Sequence, residues 1–512
     1  MSEPVERPDA VSRLSNSAEP GVWRFAMAKR ASVIVDAANY FSVMQQAMLQ
    51  ARRRLMMVGW DFDTRIHLDE GRRWYEKGRR ATYPRRLGSF IVWLTNHRDE
   101  LEIRMLKWSF GVFKFAFRGS MWMDLVRWTP HKQIDFKFDT AHPVGCSHHQ
   151  KIVVLDNTLA VCGGIDMTAR RWDTREHLEE DPRRVTPNGA VYEPWHDATM
   201  MVEGEVAQAL EDLARDRWIR AGGEPLEEIP PRNDSLWPEA LPVQFENVEI
   251  GIARTRAGYR DWDEVQEIEE LFCLHIARAK RFIYAESQYF ASRKITECII
   301  ARVEEDDPPE IVIVHPHHAD GWLEKQAMDH ARAELVRLVE QVDHKNRFTI
   351  WSPVSGKARI YVHAKIMIVD DEILRIGSAN MNNRSMGLDS ECDMFIDAAR
   401  PANAGAERQI AKLRHSLLAE HCGLDEEDVP ELLKRHGSMA GVIEHCDERN
   451  VRKLERYHPP ELNDAERELV QSQVLDPEDP EDMLAPYAGG GLYRDGSRLK
   501  RVRARIRRKL RR

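Results

Sequence analysis

Four residues carry the chemistry open to this chain: His149 and Lys151 in the run HQKIVVLD, and His363 and Lys365 in the run HAKIMIVD. Each run closes on an aspartate, Asp156 or Asp370, and after six intervening residues stands a small pair, Gly163-Gly164 or Gly377-Ser378. A constant offset of 214 residues aligns His149 with His363, Lys151 with Lys365, Asp156 with Asp370, and Asp166 with Asn380. A site has been duplicated within one chain. In a β-strand residues i and i+2 share a face, so the histidine and lysine of each copy point the same way. The apolar runs IVVL and IMIV read as buried strands, and the small pairs open tight loops where backbone can approach a ligand. Two such strands meeting across a pseudo-twofold axis place two imidazoles and two ammonium groups around one small volume. That volume suits a phosphate: the lysines neutralise its charge, a neutral imidazole attacks phosphorus, and a protonated one hands a proton to the departing oxygen.

On these residues the chain resembles the phospholipase D superfamily, whose signature is H-x-K-x4-D-x6-G-[GS]. GGIDMTARRWD (163–173), PWHD (194–197), ESQYF (286–290), IYVHAKIMIVDD and GSANMNNRSMGLDSE are similar to the two-motif phospholipases of eukaryotic type. The resemblance implies that the first motif supplies the nucleophile, so His149 is assigned to attack and His363 to general acid catalysis. A covalent phosphohistidine would then be resolved by water or another alcohol in a ping-pong cycle. A nucleophilic imidazole needs an acceptor on its other nitrogen. Asp173, Asp389 and Glu391 are the candidates, and the resemblance favours Asp173 and Glu391. Ser378 and Asn380 are expected to donate to phosphate oxygens, with Gly164 their backbone counterpart in the first half. Asp166 would repel a phosphate and is expected to serve a lysine or the loop backbone. Asp156 and Asp370 are expected to be structural, and so is His196.

The elements that must position these groups repeat as well. A helical pattern at residues 39 to 54 leads into the strand LMMVGWDF, and a second one around Val265 to Ile276 leads into RFIYAESQYF. The expected fold class is therefore α/β: two similar domains, each a β-sheet flanked by helices, related by a pseudo-twofold axis and sharing one active site. The expected boundaries are a polar extension at 1–34, a first domain at 35–223, a Pro- and acid-rich linker at 224–242 and a second domain at 243–423. The extension at 424–512 is expected to be helical over EEDVPELLKRHGSMAGVIEHCDERNVRKLERY, then an acidic spacer, then a polybasic tail.

The 512 residues allow two or three domains with full cores. The polar N-terminus lacks the apolar stretch of a secretory signal, and no run is long enough to suggest a transmembrane helix. Seven cysteines without C-x-x-C spacing point to reduced thiols and a cytoplasmic, peripherally membrane-associated protein, with export lacking a signal peptide left open. His142, His148, His315, His317 and His318 have no cysteine or carboxylate at a ligand spacing, so no metal and no cofactor is expected. Aromatic and basic residues alternate in LKWSFGVFKFAFRGSMWMDLVRW, which suits a lipid interface or else a core strand followed by an amphipathic helix. The basic cluster GRRATYPRRLG (78–88) reads as a solvated loop.

Ten positive charges fall in the last fifteen residues, against a net charge of −9 for the whole chain. Such a tail either docks on the acidic body or on nucleic acid, or anchors to anionic lipid. The membrane reading of residues 498–512 is preferred, with no nucleic-acid partner. Both motifs lie in one chain, so no partner subunit is needed to complete the site. The expected activity is hydrolysis of phospholipids on the headgroup side of the phosphate, giving phosphatidic acid and a free alcohol, with transphosphatidylation beside it. Cardiolipin synthesis and nucleic-acid phosphodiester cleavage share the chemistry, and a membrane scaffold with a relic site would not need both motifs intact.

Overall fold

The computed structural model describes residues 15–69, 71, 82–108, 121–319, 328–446, 451–473, 476–478, 491–494 and 496–510. Its first half runs β1 (Arg24–Val35), α1 (Ala37–Met48), β2 (Arg54–Gly59), α2 (Leu87–Asn96), β3 (Glu102–Trp108), α3 (Met121–Trp128), β4 (Ile134–Asp139), β5 (Ile152–Leu155), β6 (Leu159–Gly163), β7 (Trp195–His196), β8 (Ala198–Gly204) and α4 (Glu205–Arg220). The second half runs β9 (Phe245–Arg256), β10 (Val265–Gln266), α5 (Glu267–Arg278), β11 (Phe282–Glu286), α6 (Arg293–Val303), β12 (Glu310–Val314), α7 (His330–Glu340), β13 (Phe348–Ser355), β14 (Ala358–Arg359), β15 (Tyr361–Val362), β16 (Ile366–Val369), β17 (Ile373–Gly377), a π-helical turn (Arg384–Leu388), β18 (Glu391–Asp397) and α8 (Glu407–Cys422).

One large sheet carries both halves. In the first, β4, β3 and β2 run parallel, and β5, β6 and β8 continue antiparallel as far as β1. In the second, β13, β12 and β11 run parallel, and β16, β17 and β18 continue antiparallel as far as β9. The halves join where β1 and β9 pair antiparallel, with Arg24 opposite Ile252 and Ala28 opposite Val248. The pseudo-twofold axis therefore passes between these two strands.

Strand β1 begins inside the stretch expected to be a polar extension. RFAMAKRASVIV buries Ala26 and Ala28 by alternation and, past a register shift between Ala28 and Arg30, buries Ala31 as well, while Arg24 is held by Asp212 at 2.6 Å. The sequence boundary at residue 34 thus falls one residue short of the end of a central strand. Residues 224–242 form no helix or strand and are fastened to the first half. Arg232 reaches Asp156, and Ser235 and Leu236 donate to Glu203.

The buried strand residues feed three cores. One lies between the sheet and helices α4 and α8 and spans both halves, the second lies under α5, α6 and α7, and the third under α1 and α2. Each fully buried Leu, Ile or Phe in them contributes about 1.5–3 kcal/mol relative to exposure. Such continuous packing across both halves holds the two motif strands in fixed relation.

Past α8, the helices α9 (Val429–His436) and α10 (Met439–Cys446) appear where the helical reading placed them. RKLER does not continue the helix. It forms β19 (Arg452–Arg456), which pairs antiparallel with Trp351–Ser355 of β13. The exposed edge of β13 supplies the hydrogen-bonding partner that local sequence cannot announce. After α11 (Asp464–Ser472), the polybasic tail forms a helix, α12 (Arg498–Leu510). Leu499, Val502 and Ile506 face the second-half core, and Arg498 and Arg505 both pair with Glu304, at 2.7 and 2.6 Å. In the aromatic and basic stretch, β3 and α3 match the strand and helix reading, while residues 109–120 lie outside the described residues, as do 78–81 of the basic cluster.

Candidate active site

Each histidine–lysine pair sits just before its apolar strand, β5 or β16, and crosses to the other half. His149 N donates to Ser390 O at 2.9 Å, immediately before β18, and His363 N donates to His196 O at 2.7 Å, at the end of β7. Two further contacts repeat this exchange: β15 pairs with β7, and His148 bridges Ser390. The imidazole rings approach each other across the join, with centroids 6.4 Å apart and planes inclined at 58°.

The carboxylates follow the same crossing. His149 Nδ1 lies 3.1 Å from both oxygens of Glu391, and His363 Nδ1 lies 2.7 Å from Asp197 Oδ2. Each ring is thereby turned so that Nε2 faces the shared volume. Glu391 is in turn gripped by the hydroxyls of Ser378 and Ser385. Lys151 Nζ lies 3.4 Å from Asp166, and Lys365 Nζ donates to Gln288 Oε1 at 3.2 Å. All four motif side chains are buried or nearly so, His149 being the most open at 14%.

Burial dominates the electrostatics. It pushes both imidazoles well below their ordinary values, and the neighbouring Lys151 and Lys365 push further. The Lys365 ammonium comes down to about 7, again by burial, with Asp197 opposing. Burial also lifts Glu391 to about 8 and Asp197 to about 6. The free pocket therefore keeps its imidazoles neutral. A phosphate entering it brings the negative charge that stabilises an imidazolium and a charged lysine.

Several expected roles change. Asp173 does not hold a catalytic imidazole: it accepts from Trp195 N at 2.9 Å and from His177 Nδ1 at 3.0 Å, and pairs with Arg184. Asp197 takes the place expected for it. The reason is chain length, since Asp197 stands thirty-three positions after Gly164 and Glu391 only thirteen after Ser378. Strand register shows the equivalence that the constant offset hides. Gly163 pairs with Thr199 and Gly377 with Asp393, and each carboxylate stands two residues before that partner. Reading PWHD as the entry to a strand, like GLDSE, is the signal that would have found it.

Ser378 is also reassigned. Its hydroxyl donates to Glu391 and accepts from Cys392 N, so it orients the carboxylate rather than facing a phosphate. Gly164 serves Asp197: a Cβ there would stand 2.1 Å from Asp197 Oδ1. Asn380 Nδ2 lies 3.5 Å from the Gln288 oxygen that also receives Lys365, so it stays on the pocket wall. Asp156 accepts from the backbone of Arg52, Arg53 and Arg54, and Asp370 from that of Lys280, Arg281 and Phe282. Both aspartates therefore tie the motif turn to the start of the neighbouring antiparallel strand, β2 or β11. Asp166 accepts from Trp60 N and Asp61 N besides facing Lys151, which matches its expected service to a lysine and the loop backbone.

Residues that sequence reasoning did not single out complete the walls. Arg171 stacks 4.0 Å over Trp195, which itself stacks on Tyr361, and its charge helps to lower His363. From the C-terminal extension, Asp476 accepts from the backbone N–H groups of Asn383 and Arg384, at the start of the π-helical turn that presents Ser385 to Glu391.

Behind His363 lies a second polar cluster. Asp36, His177, His196 and Glu420, from four separate segments, bring their donor atoms within 4.8 Å of one another. Glu420 Oε1 lies 3.0 Å from His177 Nε2 and 2.8 Å from His196 Nδ1, while Asp36 lies 3.4 and 3.3 Å from the same two nitrogens. The other nitrogen of each ring meets a carboxylate, Asp173 or Glu286. These residues can hold a divalent cation, or as protonated imidazoles they can pair with the carboxylates directly. Linear spacing hid the cluster, because none of its members are sequence neighbours.

Two opposed imidazoles, each backed by a carboxylate and flanked by a lysine, define an enzyme site of the phosphodiesterase or phosphotransferase type. The phospholipase D family pattern matches residues 329–474. Phospholipase D alpha 1 of Zea mays is 25% identical over 400 residues, covering 55% of this chain and 49% of its own. Phospholipase D alpha 2 of Oryza sativa subsp. japonica is 24% identical over 442 residues, covering 62% and 53%. The chain thus spans about half the length of the curated relatives it matches. A phosphatidylserine synthase of Haemophilus influenzae shares 12% identity over 82% of this chain and 95% of its own, with a TM-score of 0.49. The chain is thus similar in sequence to the phospholipase D family, and the curated relatives it matches are plant phospholipases D. Among the described residues no helix is long and apolar enough to cross a membrane.

Proposed function

We propose that this protein is a phospholipase D that cleaves the headgroup-side phosphodiester bond of phospholipids, releasing phosphatidic acid and an alcohol. The observation that carries this reading is the close pair His149 and His363, ring centroids 6.4 Å apart, each held through Nδ1 by a carboxylate from the opposite half. His149, the more open ring, attacks phosphorus through Nε2. The bond from phosphorus to the headgroup oxygen breaks, and His363 Nε2 delivers its proton to that oxygen. His363, now neutral, then takes a proton from water as the water attacks the phosphohistidine, which frees His149 and regenerates the acid. A small alcohol in place of water gives transphosphatidylation. Lys151 and Lys365 balance the charge of the phosphate oxygens, and Asn380 donates beside them. This chemistry requires no cofactor and no second subunit.

The membrane supplies the substrate, and the exposed cations of α12, Arg501 and Arg508 among them, suit the anionic lipid of a peripheral attachment. The test is incubation of the purified protein with mixed phospholipid vesicles and a small primary alcohol, with products read by mass. Phosphatidic acid and phosphatidyl-alcohol from wild type, and from neither His149→Ala nor His363→Ala, are expected. Cleavage of a nucleic acid without any lipid product would move the same mechanism to a nuclease.

A further inference from the structure

Seven cysteines without a recognisable spacing read as independent thiols, yet the fold brings six of them together in pairs. Cys162 meets Cys392 between β6 and β18, and Cys422 meets Cys446 between α8 and α10. Both of these pairs are buried. The third is different: Cys273 on α5 and Cys298 on α6 are only half-buried, and their sulfurs stand 2.7 Å apart. That is far inside ordinary contact between sulfur atoms and within a small side-chain adjustment of the ~2.0 Å of a disulfide. The two helices pack side by side in the second-half core, so the approach belongs to the fold and not to a loose surface loop.

We propose that Cys273 and Cys298 form a reversible redox site that a low-molecular-weight disulfide, such as oxidised glutathione, converts to an intramolecular disulfide. The Cys298 thiolate attacks one sulfur of the small disulfide and expels a small thiol, leaving a mixed disulfide on Cys298. The Cys273 thiolate then attacks the Cys298 sulfur and expels the second small thiol. Two protein thiols are oxidised, one small disulfide is reduced to two thiols, and the two protein protons pass to the departing thiolates.

The consequence reaches the catalytic pocket. The loop closed by this bond contains β11 and the turn after it, where Gln288 receives Lys365. Cross-linking its ends restrains the local opening of that segment and raises the thermal midpoint by about 3 °C for a chain of this size.

The test treats the folded full chain with oxidised glutathione, blocks free thiols by alkylation and maps peptides without reduction. The expected product joins the Cys273 and Cys298 peptides, has lost the mass of two hydrogen atoms, reverts with dithiothreitol and melts higher than the reduced protein. Cys273→Ser and Cys298→Ser, which keep a small polar side chain, should each lose the cross-link and the melting shift. Recovery of both cysteines alkylated, of a stable glutathione adduct on one of them, or of a cross-link only at another pair would overturn the proposal.

Discussion

His149 and Glu391 stand 242 positions apart in the chain, yet the imidazole Nδ1 rests 3.1 Å from both carboxylate oxygens. His363 and Asp197 repeat the arrangement in the opposite direction at 2.7 Å. Each half thus supplies the carboxylate that aims the other half's histidine, and neither half alone contains a complete catalytic pair.

Replacing these carboxylates should therefore damage turnover more than substrate binding. Glu391→Gln and Asp197→Asn are each expected to lower kcat by about 10²–10⁴-fold with KM little changed, as loss of the orienting acid does in other His–carboxylate pairs. Asp173→Asn should instead cost stability, about 1–3 kcal/mol, because it leaves buried donors on Trp195 and His177 poorly matched. Steady-state kinetics beside urea unfolding separates the two behaviours. An Asp173 variant as inactive as the Asp197 variant at equal stability would return Asp173 to the catalytic set.

The pH dependence follows from Lys365. Burial brings its ammonium to about 7, so in the free enzyme it is charged below that pH and neutral above it. The charge is what draws the phosphate, so kcat/KM should fall as pH rises through about 7. Lys365→Arg, whose guanidinium stays charged, should retain some activity and carry the alkaline limb upward. An unchanged limb in that variant would assign the titration to another group.

Gly164 tests the space reserved for Asp197. A methyl group there would stand 2.1 Å from Asp197 Oδ1, whereas one at Gly258 would meet nothing nearer than 3.6 Å. Gly164→Ala is expected to lose at least about tenfold in kcat and about 1–3 kcal/mol of stability, and Gly258→Ala to change neither appreciably. Full activity in Gly164→Ala would show that Asp197 can move without consequence.

Asp476 should matter although it lies far beyond the duplicated motifs. Removing its carboxylate in Asp476→Ala strips the backbone N–H groups of Asn383 and Arg384 of their acceptor and frees the turn that carries Ser385. A stability loss of about 1–3 kcal/mol with a fall in kcat is expected, whereas Asp476→Asn, which keeps one acceptor oxygen, should recover part of both. Equal loss in the two variants would point to the charge rather than the hydrogen bonds.

The sequence by itself determined the chemistry of this protein. Histidine, lysine and aspartate recur at fixed spacing, strand parity puts His and Lys on one face, and the 214-residue offset announces two related halves and their shared site. The apolar runs of β5 and β16 and the structural aspartates were legible for the same reason: their partners are local strands and turns. Tertiary structure alone decided which carboxylate serves which histidine, because hydrogen bonds across the β1–β9 junction join residues that no spacing relates. It also decided that Ser378 belongs to Glu391, that RKLER completes an exposed edge of β13 as a strand, and that Asp36, His177, His196 and Glu420 converge. In each of those cases burial and tertiary pairing overrode what the local sequence could express.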